Sequence, residues 1–161
     1  ETLIASEKAS LFAALQDPEV SEILEVGIGG NPKLGGFTNL RYYSKGQVIT
    51  GLDPTINEGQ LYPEAFRVAQ ESGLDLKLKR GVMEALPFPD NSFDAVVSTL
   101  VLCSVADPVR CVNEVARVLR PSGKWLFIEH IAAKEGSFLR AQQEALNPLQ
   151  ILLADGCHLN R

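Results

Sequence analysis

The sequence predicts an α/β fold: a Rossmann-like, open, mainly parallel sheet with helices on both faces. Three observations lead there. Five short apolar runs alternate with stretches of helical spacing, the pattern of repeated β-α-β units. A glycine turn, Gly27-Ile28-Gly29-Gly30, directly follows the first apolar run. An acidic residue, Asp53, ends the second run about 25 residues on.

The elements follow in order. Residues 4–16 have helical spacing, with Leu11, Phe12 and Leu15 on one face. Ile23–Val26 is the first strand. Residues 38–44 read as a short helix, and Gln47–Leu52 as the second strand, ending at Asp53-Pro54. Residues 61–72 form a helix with Phe66 and Ala69 on one side. Leu74–Lys79 is a strand, the turn-rich Pro87–Ser92 follows, and Phe93–Ser98 is a buried strand. Asp107 caps the next helix and Pro108 fits its first turn; Val109, Val112, Ala116 and Leu119 give its expected core face. Arg120-Pro121-Ser122-Gly123 ends that helix, and Lys124–Glu129 is the fifth strand. Residues 137–153 are a last helix, expected to break near Pro148 where the amide is missing. Parallel pairing with right-handed crossovers gives strand order 3-2-1-4-5.

Composition bounds the rest. The 161 residues are read as a single domain, 1–161. A net charge of −5 with scattered basic residues argues against nucleic acid as a partner. No apolar run is long enough for a transmembrane segment. Cys103, Cys111 and Cys157 form no C-x-x-C pair, which suits a reducing, intracellular setting, cytoplasm or organelle. The start at Glu1 leaves room for an upstream targeting or membrane-anchoring segment.

Ligands of such sheets bind beyond the carboxyl ends of the strands. The glycine turn, Asp53, Val82-Met83-Glu84 and Thr99-Leu100 all fall there. Glycines allow close backbone approach, and a carboxylate at the end of strand two accepts hydrogen bonds from ribose hydroxyls. A nucleoside ligand is therefore expected. The loop does not complete either common glycine pattern, because Asn31 and Pro32 stand where a third glycine would. Either Asn31 serves in its place, or Gly35-Gly36-Phe37-Thr38 supplies the second half after about six extra residues.

Glu25-Val26-Gly27-Ile28-Gly29, Leu52-Asp53-Pro54, Gly81–Phe88, Phe93–Val97 and Val118–Gly123 occur in that order. The series resembles class I S-adenosylmethionine-dependent methyltransferases of the ubiquinone-biosynthesis type. Thr99–Val105, Ile128-Glu129-His130 and Ala154–Leu159 resemble the methyltransferase-like thiol S-methyltransferases and their plant relatives. The resemblance implies S-adenosyl-L-methionine as cofactor and a small-molecule acceptor, a thiol, methylated by in-line displacement in an apolar pocket. It places Glu25, Gly27, Gly29 and Gly30 along the methionine and ribose portion, and Asp53 on the ribose hydroxyls. Val82 and Met83 would flank the adenine, and Thr99 and Leu100 the amino-acid end. Many relatives carry Asp at position 82; valine there leaves the base to backbone groups of Met83.

His130, Asp155 and His158 are the catalytic candidates on the acceptor side, against plain alternatives as a strand-end residue, a turn residue and a locally bonded loop histidine. Cys103 reads as a small buried residue, and Phe138, Leu139, Leu146 and Leu149 as helix core or an apolar lid. The family fold has seven strands, the last two a hairpin; five are counted here. The domain is accordingly expected to be C-terminally incomplete, with self-association through the exposed edge of strand five. Two alternatives stand beside the methyltransferase. One is a truncated, non-catalytic relative. The other is an NAD(P)-dependent reductase, disfavoured by Pro32 and by the lack of a Tyr-x-x-x-Lys pair.

Overall fold

A computed structural model describes residues 4–29, 36–153 and 156–160. Its elements are α1 (Ala5–Phe12), β1 (Glu22–Val26), β2 (Val48–Asp53), α2 (Pro63–Ser72), β3 (Asp75–Arg80), β4 (Phe93–Thr99), α3 (Pro108–Val118), β5 (Leu119–Ile128) and α4 (Phe138–Leu153). The strands form one sheet in the order β3-β2-β1-β4-β5, and every pairing is parallel. This is the topology and order expected from the sequence.

Strand alternation sorts the core into two layers. Ile23, Ile49, Leu76, Ala95 and Val97 pack with Phe12, Leu15, Leu40, Tyr43, Ala65 and Ala69. Leu24, Val26, Leu52 and Val96 pack with Met83, Leu86, Phe93, Cys111, Val115 and Val118 on the other face. Central β1 is buried along Ile23–Val26, as a strand covered on both faces must be. The same alternation sends the Glu25 side chain to the α1 face, with Ile23. The Asp94 carboxylate locks the start of the sheet by accepting the Ser21 and Glu22 amides (3.1 and 2.9 Å).

Several details differ from expectation. Residues 38–44 hold only a 3-10 turn, Leu40–Tyr42. On α2 the buried residues are Ala65 and Ala69, while Phe66 is 47% exposed. On α3 the core stripe is Cys111, Val115 and Val118, whereas Val109 is 72% exposed and Val112 45%. Two stripes with helical spacing compete on this helix. The cap at Asp107, which accepts the Arg110 amide at 3.0 Å, and Pro108 at the first turn stand as expected.

Leu119–Gly123 belongs to β5, whose register shifts between Phe93 and Ala95 of β4, and Leu119 is a strand residue. The last helix runs through Pro148 unbroken and has no buried residue. Phe138, Leu139, Leu146 and Leu149 are exposed and are not core. No described helix is long and apolar enough to cross a membrane.

Candidate functional site at the carboxyl edge of the sheet

The site begins where β1 ends. The Gly27 amide donates to the Leu52 carbonyl (2.8 Å), carrying the chain over the end of β2. Gly27 and Gly29 have φ of +70° and +84°, the left-handed region that a Cβ disfavours. A Cβ on Gly29 would lie 2.7 Å from the Gly36 backbone, so the two limbs of the loop touch there. Gly29→Ala is expected to force those limbs apart and cost about 1–3 kcal/mol of stability. Thermal unfolding checks this, and an unchanged midpoint would refute the close approach.

Asp53, 8% exposed at the end of β2, holds the loop. Its Oδ2 accepts the Gly29 amide (3.0 Å), and its Oδ1 accepts the Thr55 amide (2.8 Å) and the Thr55 hydroxyl. A carboxylate offers about four acceptor positions. Three are used, so Asp53 fixes the glycine turn and retains capacity for a ligand hydroxyl.

Opposite lies a buried polar cluster. Glu25, 2% exposed, accepts from Asn39 Nδ2 at Oε1 and from the Tyr43 hydroxyl at Oε2, both at 2.8 Å. Asn39 also donates to Thr99 Oγ1 (3.2 Å) and accepts from Lys8 Nζ (2.8 Å). Burial pushes the Glu25 carboxyl up to about 7. The Tyr43 and Asn39 hydrogen bonds and the Lys8 charge oppose that rise. Tyr43 is pushed well above its ordinary value by its own burial, then by the Glu25 charge.

The third wall follows β3 and β4. Val82 is 45% exposed, whereas Met83 is buried. Glu84 accepts the Ala106 amide (2.7 Å), tying this turn to the one after β4. Leu100 is held at φ +56° with its amide on the Ile128 carbonyl (2.8 Å), a strained backbone at the rim.

These walls enclose one cleft of about 1000 Å³. Glu25, Gly27, Gly29, Asp53, Val82, Met83, Thr99 and Leu100, all named from sequence, line it together. Gly30 and the 30–35 segment lie outside the described residues, so the two ways of completing the loop are not distinguished; Gly36 and Thr38 line the cleft. Lys8 and Asn39, which also line the cleft, and Tyr43, which supports it from behind through Glu25, are additions. Asn39 and Tyr43 fell within the stretch 38–44 read as a short helix, and Lys8, on a helix of amphipathic spacing, carried no signal.

The acceptor-side candidates sit elsewhere. His130 and His158 are not among the residues lining the cleft, and Asp155 lies outside the described residues. His130 Nε2 donates to the His158 carbonyl (2.8 Å), so that nitrogen carries a proton and is not a base in this arrangement. Cys157 Sγ lies 3.7 Å from the same nitrogen. Cys103 is buried, and burial pushes its thiol up to about 11. Phe138, Leu139, Leu146 and Leu149 form no part of the cleft wall and are no lid over it.

An open parallel sheet with a glycine turn, a carboxylate at the end of the second strand and a cleft at the topological switch point defines an α/β protein built to hold a nucleoside-type ligand. The chain belongs to the methyltransferase domain family, whose model matches residues 24–127. It is 36% identical to human thiol S-methyltransferase TMT1A over 98% of its own length and 64% of that protein. It is 32% identical to rat thiol S-methyltransferase TMT1B, over 97% of the chain and 63% of the relative. The chain thus spans less than two thirds of the length of these relatives. Among solved structures, YcgJ from Bacillus subtilis superposes with a TM-score of 0.65 at 26% identity, covering 91% of this chain and 58% of that one. The reductase alternative has no support in this family.

Proposed function

We propose that the chain binds S-adenosylmethionine in the cleft and passes its methyl group to a small thiol. The observation that carries this reading is the pairing of Asp53 with Gly29 across one cleft from the buried Glu25 cluster. A hydroxyl-binding carboxylate at one end and a carboxylate beside cationic Lys8 at the other suit a ligand that is a nucleoside at one end and a cationic amino acid at the other. The names of the thiol S-methyltransferase relatives support the acceptor class.

When bound, S-adenosylmethionine supplies an electrophilic methyl on a sulfonium. The chain's task is alignment. Asp53 orients the ribose, Val82 and the buried Met83 offer an apolar surface to the base, and Thr99 and Leu100 border the amino-acid end. A thiol near its ordinary acidity supplies some thiolate at neutral pH, so the chemistry demands no strong side-chain base. Meeting of thiolate and sulfonium extinguishes two charges, which an apolar, water-poor wall favours over bulk water.

Titration calorimetry tests the reading. Saturable heat with S-adenosylmethionine and none with NADH is expected, followed by methyl transfer to members of a thiol panel. A folded protein silent toward S-adenosylmethionine would refute it. We also propose a reducing, intracellular setting, supported by three cysteines of which none is in a disulfide. Self-association through β5, one of the two edge strands, with Phe127 51% exposed, is a further part of the proposal. Sedimentation across a concentration series checks that last point, and a concentration-independent monomer would refute it.

A further inference from the structure

Away from the cleft, three chain segments bring together Cys103, His130 and Cys157. One potential ligand atom from each lies within 4.8 Å of the other two. Cys103 stands in the turn after β4, His130 just beyond β5, and Cys157 in the C-terminal segment. The segment is already docked there: the His158 amide donates to the Cys103 carbonyl (2.8 Å), and its carbonyl accepts from His130. We propose that these residues form a three-ligand site for a soft divalent metal of the zinc class, with a fourth position open.

Geometry and donor chemistry carry this. Tetrahedral zinc, with bonds of about 2.3 Å to sulfur and about 2.0 Å to imidazole, holds those two ligand atoms roughly 3.5 Å apart. Cys157 Sγ and His130 Nε2 are separated by 3.7 Å. Two thiolates balance a dication, and the S₂N donor set selects zinc over the hard, oxygen-seeking cations. A second observation points the same way. Glu129, next in the chain to His130, accepts the Val101 and Leu102 amides at Oε1 (2.8 and 2.9 Å), while its buried Oε2 has no hydrogen-bond partner among the described residues. An orphaned carboxylate oxygen beside the cluster gives that locality an uncompensated preference for positive charge. Cys157 and His130 are each partly exposed, which leaves an entry path.

Loading is balanced as follows. The Cys103 and Cys157 thiol protons leave to solvent and each sulfur bonds to the metal. His130 gives up its bond to the His158 carbonyl, its proton moves to Nδ1, and Nε2 takes the metal. The metal would staple the C-terminal segment to the back of the wall formed by Leu100, Val101 and Ser104.

The test uses the whole chain, reduced and freed of metal with a chelator, titrated with Co²⁺ under exclusion of air. The expected result is one cobalt per chain, with intense visible bands of tetrahedral geometry and a near-ultraviolet thiolate charge-transfer band, both removed by Zn²⁺. The charge-transfer band should weaken in Cys103→Ser and in Cys157→Ser and vanish in the double variant. It should persist in Cys111→Ala, whose thiol belongs to the core layer under α3 and not to the cluster. His130→Gln should keep the charge-transfer band with weaker binding. A pale octahedral spectrum from the unsubstituted chain would overturn the proposal without any variant. So would bands that survive the double substitution, or a Cys103–Cys157 disulfide in a chain that binds no cobalt once reduced. No step depends on S-adenosylmethionine, so failure here is distinct from failure of the proposed function.

Discussion

Asp53→Ala is expected to lower affinity for S-adenosylmethionine on the order of 100-fold, about 3 kcal/mol. Two losses combine. The ribose hydroxyls lose a charged acceptor, and hydrogen bonds to charged groups are each worth roughly 1.5–3 kcal/mol. The Gly29 and Thr55 amides lose the group that now holds them, so the glycine turn is no longer fixed before the ligand arrives. Asp53→Asn separates the two effects. It keeps an acceptor for Thr55 but presents two amide protons to Gly29 unless it flips, and should fall between the unsubstituted chain and alanine. Calorimetric titration beside an unfolding curve is the measurement. An affinity unchanged in a folded Asp53→Ala protein would remove Asp53 from the site.

The second large effect follows from pH. Glu25 has its folded-state value raised from 4.5 to about 7. A raised carboxyl favours folding most when it is protonated. Its contribution is complete below about 4.5, declines as pH rises through 7, and is level above that. The full span is roughly 3 kcal/mol at most. Glu25→Gln should erase that slope in urea unfolding measured from pH 5 to pH 8. Ligand binding should run the opposite way. A cationic ligand in the same cleft favours the ionised carboxylate, so affinity for S-adenosylmethionine should rise between pH 5.5 and 8, by up to about tenfold per unit below 7. In Glu25→Gln the affinity should be weaker and flat across that range. A flat profile in the unsubstituted chain would separate Glu25 from the bound cation.

Much of this was legible in sequence because its causes are local. The glycine turn, Asp53 at a strand end and the capped start at Asp107-Pro108 declare themselves in a few residues. Strand order followed from parallel crossovers, which leave few alternatives. What stayed hidden depends on partners far apart in the chain. Lys8 reaches Asn39 across 31 residues, and no spacing rule links a helix lysine to a buried strand glutamate. The phase of α3 escaped because two stripes fit one period, and only the sheet beneath chooses between them. His130 was rightly placed at a strand end by topology. Its ring direction depends on the His158 carbonyl, 28 residues on, which periodicity cannot foresee.

Met83 is both a wall of the cleft and a member of the core layer that includes Val96, Cys111 and Val115, and Val26 and Val105 share that double membership. The floor on which a ligand rests is therefore not a lining laid over the protein but the upper surface of its interior. Ligand affinity and folding stability draw on the same side chains. A saturating ligand at about 100 times its dissociation constant would protect the fold by about 2.7 kcal/mol. A cavity opened at Val115, which does not line the cleft but shares a core layer with Met83, would be felt as a softer seat for the base. Retuning what this cleft recognises by substitution at its floor would require repacking the helix beneath it.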